Sequence, residues 1–107
     1  MPSFDDREKA YENKYAHDQE LEFKAVARRN KLLGLWAAEL MSLDEAQSAD
    51  YAKAVVKADF EEAGHEDVFR KIRGDFDARG IEQTDHQIRH KMEQLLEEAR
   101  KQVREQS

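Results

Sequence analysis

Apolar residues recur at intervals of three and four along most of this chain, the spacing of one face of an α-helix. The pattern is clearest over residues 20–41, in the series Phe23, Val26, Asn30, Leu33, Ala37 and Leu40. Asn30 is the one polar residue of this series. Leu32 and Trp36 widen this face. Gly34 costs about 1 kcal/mol relative to alanine in a helix interior, which a close helix crossing would offset. The pattern predicts a long helix over 20–41 that packs closely on a neighbour.

A second helix is predicted to follow directly. Ser42 and Glu45 have the spacing of a capping box, so the helix is expected to begin at about residue 43. Gly64 is a suitable C-terminal cap. The apolar positions of this helix are Ala49, Ala52, Val55, Val56, Phe60 and Ala63.

Two more helices complete the pattern. The third is predicted over about 66–78, ending at Gly80, with apolar positions at Val68, Phe69, Ile72 and Phe76. Thr84 and Gln87 form another capping box, which begins the last helix. Its apolar positions are Ile88, Met92, Leu95, Leu96, Ala99 and Val103. Because the connections are short, the fold class expected is all-α, with residues 20–107 forming a four-helix bundle domain.

Residues 1–19 are different, because they are highly charged and carry few apolar side chains. Phe4, Tyr11 and Tyr15 are spaced by seven and four, so a helix would align them on one narrow stripe. With so little apolar surface to dock, we expect a polar, partly flexible N-terminal arm. The arm either folds on binding a groove or is a terminus without a binding role.

Composition narrows the class of protein. Charged residues make up 39% of the 107 residues, with one proline and four glycines, which favours long helices. The net charge of −6 argues against nucleic-acid binding. The absence of cysteine excludes disulfides and thiol catalysis. No apolar run approaches the ~20 residues of a membrane span, and no signal peptide is recognisable, so we expect a cytoplasmic protein without membrane insertion.

No catalytic motif is present, and we expect a protein that is not an enzyme. His86 and His90 share a helix face at a spacing that can bind a metal. No cysteine accompanies them, so two solvated histidines are the favoured interpretation and no metal site is predicted. The pairs Glu61–Glu62 and Glu97–Glu98 lack the distinct environments that catalytic carboxylates need, which favours solvated helix faces.

One basic cluster has another candidate role. Lys24, Arg28 and Lys31 are spaced by four and three and share a helix face, and Arg29 lies beside them. These cations could hold phosphates, and Trp36 could stack on a purine. The alternative, which composition alone favours, is that the bases pair with nearby glutamates and that Trp36 belongs to the core.

Five segments of the chain strongly resemble the zeta subunit, the ATPase inhibitor of alphaproteobacterial ATP synthases. They are FDDREKA at 4–10, NKYAHD at 13–18, ARRNKLLGLWAAE at 27–39, VKADFEEAG at 56–64 and DVFRK at 67–71. The resemblance covers nearly the whole chain. It is weakest over residues 41–50 and in the last helix after His86, where only the helical pattern is recognisable.

The resemblance implies a four-helix bundle whose N-terminal segment inhibits ATP hydrolysis by the F-type ATP synthase. The segment would enter an interface between α and β subunits and meet the central γ shaft, which makes these three subunits the expected partners. The chain would then be cytoplasmic and peripheral to the inner membrane through the synthase. The arm residues expected to contact the partner are Phe4, Asp5, Asp6, Arg7, Lys9, Tyr11, Glu12, Lys14 and Tyr15.

Members of the family are also associated with ADP or ATP. The resemblance therefore adds a weak adenine-nucleotide ligand, with no cofactor required, and a second functional hypothesis in which nucleotide binding to the bundle couples energy state to inhibition. The candidate nucleotide-binding residues are Lys24, Arg28, Arg29, Lys31 and Trp36.

Overall fold

A computed structural model describes residues 4–60 and 66–106, with side chains described from residue 17 onward. The described chain forms four α-helices and no strand, which confirms the all-α four-helix prediction. The helices are α1 (Phe4–Leu40), α2 (Glu45–Ala58), α3 (Glu66–Arg79) and α4 (Asp85–Gln106).

Helix α1 dominates the shape of the molecule. It contains 37 residues and begins at Phe4 rather than at about residue 20 as predicted, because neither proline nor glycine occurs between Phe4 and Gly34 to end it. At ~1.5 Å per residue such a helix is about 55 Å long. The chain accordingly measures 65 × 24 × 22 Å and has a radius of gyration of 17.4 Å, against the ~13 Å of a compact domain of this length.

The turn from α1 to α2 corrects the predicted capping box. Ser42 has a φ of 60° and lies just beyond the end of α1, where its N–H donates to the carbonyl of Glu39. The N–H of Leu43 donates to the carbonyl of Ala38, which completes a Schellman motif. Ser42 therefore ends α1 instead of beginning α2, so the predicted Ser42 cap is wrong. Asp44 is the N-cap.

Asp44 and Gln47 form the capping box of α2. The backbone N–H of Gln47 donates to the Asp44 side chain at 2.8 Å, and the Asp44 N–H donates to the Gln47 side chain at 3.2 Å. The helix ends at Ala58, with Asp59 as C-cap, and not at Gly64, which lies outside the described residues.

The last two helices begin and end largely as predicted. Gly80 has a φ of 70° and closes α3 in a second Schellman motif, in which the Ile81 N–H donates to the Phe76 carbonyl at 2.9 Å. The Thr84–Gln87 capping box is confirmed by both of its hydrogen bonds, at 2.8 and 3.1 Å.

Two apolar clusters hold the helices together. The larger lies among all four helices and contains Leu33, Ala37, Met41, Val55, Val68, Phe69, Ile72, Phe76, Ile88 and Met92. The smaller joins Ala25 of α1 to Ala99 and Val103 of α4. It fixes α1 to the C-terminal half of α4, so the bundle extends back along α1 to about Leu21.

Helices α1 and α2 approach each other closely at Gly34. A Cβ atom placed on Gly34 would lie 2.6 Å from the Cα atom of Ala52, closer than real Cβ contacts come. The predicted close crossing at Gly34 is thus confirmed.

The buried faces of α1 and α2 are rotated from the predicted ones. On α2 the buried residues are Ala52, Val55 and Ala58, so the predicted core positions Ala49 and Phe60 are exposed. On α1, Phe23 is also exposed although the spacing placed it in the core. Because α2 ends at Ala58, Phe60 lies beyond its last turn and away from the core.

Candidate functional site

The predicted inhibitory arm forms the free end of α1. Its backbone is helical from Phe4 and joins the bundle without a break. Residues 17–20 are all exposed, so the first part of α1 with described side chains is not covered by another described helix. The side chains of the nine predicted contact residues, Phe4 to Tyr15, lie outside the described residues, and their roles stay predictions.

A charge cluster fixes α1 where it leaves the bundle. The Arg100 guanidinium donates to both carboxylate oxygens of Glu22, at 2.7 and 3.0 Å. It also donates to Glu97 at 3.2 Å. The Glu22 carboxylate is the main cause of the raised pKa of Arg100. Bidentate pairing of this kind orients both partners, so it helps to hold α1 against α4 at this point.

Three of the five predicted nucleotide-binding residues line one cleft. The cleft has a volume of about 550 Å³ and lies between α1, α2 and α4. Its lining contains Lys24, Arg28 and Lys31, together with the ring of Phe23. The helical spacing therefore placed these three cations correctly on one face.

The three cations differ in how strongly they are held. Lys24 Nζ lies 3.2 Å from a carboxylate oxygen of Glu20, and Arg28 donates to the side-chain oxygen of Gln102 at 3.4 Å. Lys31 is exposed and makes no ion pair within the described residues. An anion in the cleft would thus find one unpaired lysine and two cations whose present contacts are long or exposed.

The other two predicted residues lie elsewhere. Arg29 is 2% exposed, and its Nε donates to the side-chain oxygen of Asn30 at 2.9 Å. Burial lowers the pKa of Arg29, against the opposing charge of Asp59. Trp36 packs edge-on against Phe76, with ring centroids 5.6 Å apart, and does not line the cleft. The structure therefore does not bring Trp36 or Arg29 together with the cleft cations.

The remaining candidate groups lie on exposed faces. The rings of His86 and His90 stack along α4 with centroids 6.4 Å apart, and both are exposed. Glu97 accepts a hydrogen bond from Arg100, and Glu98 accepts one from Gln102 at 3.2 Å. The pair Glu61–Glu62 lies outside the described residues.

The sequence pattern missed one surface. Phe23 and Phe60 were assigned to the core but are 63% and 67% exposed, with ring centroids 6.5 Å apart. A second series, Leu21, Ala25 and Leu32, has spacings of four and seven and marks the face of α1 that is buried against α4. The sequence pattern favoured the face of Phe23 instead, because phenylalanine is more hydrophobic than Ala25, two positions later.

No helix in the part of the chain that the structure describes combines the length and apolar character that a membrane span requires.

Comparison with known proteins finds three related chains of known structure and one family. A protein solved by solution NMR is 47% identical in sequence, with a TM-score of 0.71, over 81% of this chain and 99% of that one. No curated protein matches the chain. The sequence model of the family ATPase inhibitor subunit zeta matches residues 1–102, which confirms the predicted resemblance. The chain therefore belongs to the ATPase inhibitor subunit zeta family.

Proposed function

We propose that this chain inhibits ATP hydrolysis by the F-type ATP synthase by inserting residues 1–19 as a helix at an interface between α and β subunits. The observation that carries the proposal is the unbroken course of α1 from the bundle to Phe4, in a chain of an inhibitor family. In the inserted state the arm would also meet the central γ shaft.

The dimensions suit this role. Residues 4–19 are helical in the structure, and sixteen residues at ~1.5 Å each extend about 24 Å. A rod of this length reaches well into a cleft between subunits and would act as a wedge that keeps the cleft from closing on nucleotide. The bundle is too wide to follow, because it measures over 20 Å in both transverse directions. It would stay outside and limit the depth of insertion.

The proposed contacts divide by chemistry. Phe4, Tyr11 and Tyr15 would be the buried anchors, because aromatic residues commonly dominate such interfaces. The charged residues would pair with the cleft walls and set register and association rate. They are Asp5, Asp6, Arg7, Lys9, Glu12 and Lys14.

A hydrolysis assay tests the proposal. The full chain and a version lacking residues 1–19 are titrated into F-type ATPase from the same source. We expect inhibition by the full chain and none by the truncated one. Circular dichroism of the truncated chain must show a retained bundle for the comparison to count. Equal inhibition by both proteins would overturn the role of the arm, and inhibition by neither would overturn the proposed function.

A double substitution tests the anchors. Tyr11→Ala with Tyr15→Ala is expected to weaken inhibition about tenfold or more, because each loss removes a large buried ring. Thermal unfolding should change little, because the apolar clusters of the described residues extend along α1 only to about Leu21. Tyr11→Phe with Tyr15→Phe is the matched control and should inhibit nearly as the original chain does. Inhibition by the alanine pair at the original concentration would show that the anchors are misassigned.

A second candidate function is adenine-nucleotide sensing, favoured by the convergence of Lys24, Arg28 and Lys31 on one cleft. ADP or ATP phosphates would bind these cations, and the bound nucleotide would change how readily the arm is presented. Such coupling requires unequal nucleotide affinity in the two arm states. No stacking on Trp36 is part of this proposal, because Trp36 is partly buried against the larger apolar cluster and does not line the cleft.

NMR titration with ADP tests the second function. Shifts should centre on the cleft and weaken in Lys31→Gln, while Lys101→Gln, an exposed change on α4 outside the cleft, should leave them unaltered. Shifts that extend to residues 4–16 would support coupling to the arm. No shift at millimolar ADP would remove this function.

A further inference from the structure

An apolar strip lies exposed along the seam between α1 and α2. Its two largest members are Phe23 and Phe60, each more than 60% exposed, whose rings contact each other across the seam. With Leu35, at 37%, they are the exposed large apolar side chains of the described residues. Contiguous exposed apolar surface of this kind commonly marks a site of protein interaction.

Val56 makes the strip continuous. It lines a small hollow with Phe23 and Phe60, and it lines the basic cleft beside them. It also lines a groove of about 400 Å³ that contains Leu35 and leads toward the far end of the seam. The four residues Phe23, Leu35, Val56 and Phe60, here called the seam strip, thus form one surface.

Cations frame the seam strip. Lys24, Arg28 and Lys31 line the cleft on one side, while Lys31 and Lys53 line the groove with Leu35. The only carboxylate lining any of these three described hollows is that of Asp59. Lys31 and Lys53 make no ion pair within the described residues. A partner would therefore be apolar at its centre and acidic at its rim.

The charge also argues against a second copy of this chain on the strip. Two copies related by a twofold axis would bring like-charged frames together, which is unfavourable. The position of the strip points to another occupant. Phe23 lies on the same unbroken helix as the arm, four residues beyond its boundary at 19. A protein that holds the arm is therefore within reach of the strip.

We propose that the seam strip is a second docking surface, by which the bundle binds the ATPase outside the cleft that holds the arm. The surface it meets would be an apolar patch rimmed by carboxylates. This inference rests on the proposed function, because it takes the ATPase as the partner. The strip would give the complex a longer lifetime, while the arm blocks catalysis.

The test uses the full chain carrying Phe23→Ser and Phe60→Ser. Binding to purified ATPase and inhibition of hydrolysis are measured on the same samples. We expect the dissociation constant to rise about tenfold or more, as for loss of paired aromatic anchors. Most of the change should lie in the dissociation rate. Inhibition at saturation should be unchanged, because the arm is intact, and unfolding should be unchanged, because both rings are exposed.

A charge pair supplies the matched control. Lys53→Glu reverses a cation of the frame and should weaken binding, more so at low salt. Lys101→Glu makes the same change at an exposed position of α4 that lines none of the three hollows and should leave affinity unaltered. Equal effects of the two changes on affinity would show that the cations beside the seam strip do not contact the partner.

The outcomes separate the two proposals. If the original chain inhibits and the serine pair binds with unchanged affinity, the strip is not a docking surface, while the proposed function stands. If the original chain binds without inhibiting, the proposed function fails, and weaker binding by the serine pair would still support the strip. A dimer of the original chain that the serine substitutions dissociate would show a second copy as the occupant and overturn the inference.

Discussion

The α1–α2 seam and helix α3 are attached to the rest of the molecule by different means. At the seam, the backbones approach so closely that Gly34 leaves no room for a side chain against Ala52. Helix α3 is instead joined to its neighbours by long polar side chains as well as by its apolar face. Examples are Tyr51 of α2, which donates to Asp75, and Arg89 of α4, which donates to Glu66.

The difference concerns how the two regions tolerate change. The seam depends on the absence of one Cβ atom, so a single methyl group affects the whole α1–α2 contact. The polar attachments of α3 are distributed and partly exposed, so the loss of each one is a small loss. Among the described residues, the outer side of the seam exposes Phe23 and Phe60, so it is available to a partner protein.

The largest effect is expected from Gly34→Ala. The added methyl would lie 2.6 Å from the Ala52 Cα atom, and relief requires the helices to separate. Overpacking typically costs about 1–3 kcal/mol and occasionally more, and a clash with backbone rather than with a flexible side chain belongs at the upper end of that range, so the better helix propensity of alanine, about 1 kcal/mol, offsets only part of the loss. Gly74→Ala is the matched control, because nothing lies within 4 Å of its added methyl. It should raise stability by up to about 1 kcal/mol.

Urea unfolding followed by circular dichroism measures both changes. Opposite signs for the two variants would confirm that the seam is a contact of backbone on backbone. A Gly34→Ala variant as stable as Gly74→Ala would show that the seam can separate without loss.

Tyr51→Phe should have a smaller effect. It removes a hydrogen bond of 2.7 Å to Asp75, which Lys71 also contacts at 3.2 Å. Because Lys71 continues to satisfy the carboxylate, the loss should be about 0.5–1.5 kcal/mol. Thermal unfolding of Tyr51→Phe against the original chain measures it, and a loss as large as that of Gly34→Ala would contradict the contrast between the two regions.

The surroundings of Tyr51 also lead to a prediction for the stability of the fold at alkaline pH. Burial and then the hydrogen bond to Asp75 raise the pKa of Tyr51 above its ordinary value of 10.0. Its contribution to stability is therefore present below about pH 10 and is lost as pH rises above it. In an absorbance titration one tyrosine should ionise only together with unfolding, and Tyr51→Phe should remove that step. An unchanged titration of the remaining tyrosines is the control.

The smallest effect is expected from Glu66→Gln. Hydrogen bonding to Arg89 lowers the pKa of Glu66 from its ordinary value of 4.5. The pair therefore stabilises the fold above about pH 4.5, and its contribution is lost as pH falls below that value. The variant should lose stability less steeply between neutral pH and pH 3, and the difference should shrink in high salt. Glu93→Gln, which removes an exposed carboxylate of α4, is the matched control for the change in charge.

The sequence predicted helices where local chemistry decides and failed where tertiary contacts decide. Gly80 and the Thr84–Gln87 box marked real helix ends, because each involves residues only a few positions apart. Ser42 was misread as an N-cap, since its hydroxyl suits that position, although the backbone uses Ser42 in the left-handed conformation to end α1. Whether a residue caps the helix before it or after it depends on where the next helix packs.

The candidate site shows the same limit. The common face of Lys24, Arg28 and Lys31 followed from helical spacing, and the structure brings them to one cleft. The burial of Arg29 and the exposure of Phe23 depend on the angle at which α1 meets α2 and α4. Spacing within one helix contains no information on that angle.

The continuity of α1 has a consequence for angular register. Every residue of an α-helix advances the chain ~1.5 Å and turns it ~100°. Helix α1 contains both the arm and Phe23. The rotation of the arm about the helix axis therefore fixes the direction in which the seam strip faces. One residue inserted near residue 18 would turn the strip by ~100°, so arm and strip could not engage one partner together. Seven inserted residues would restore its direction to within ~20° but displace the bundle by ~10 Å. The number of residues between the two surfaces is thus as constrained as their identity.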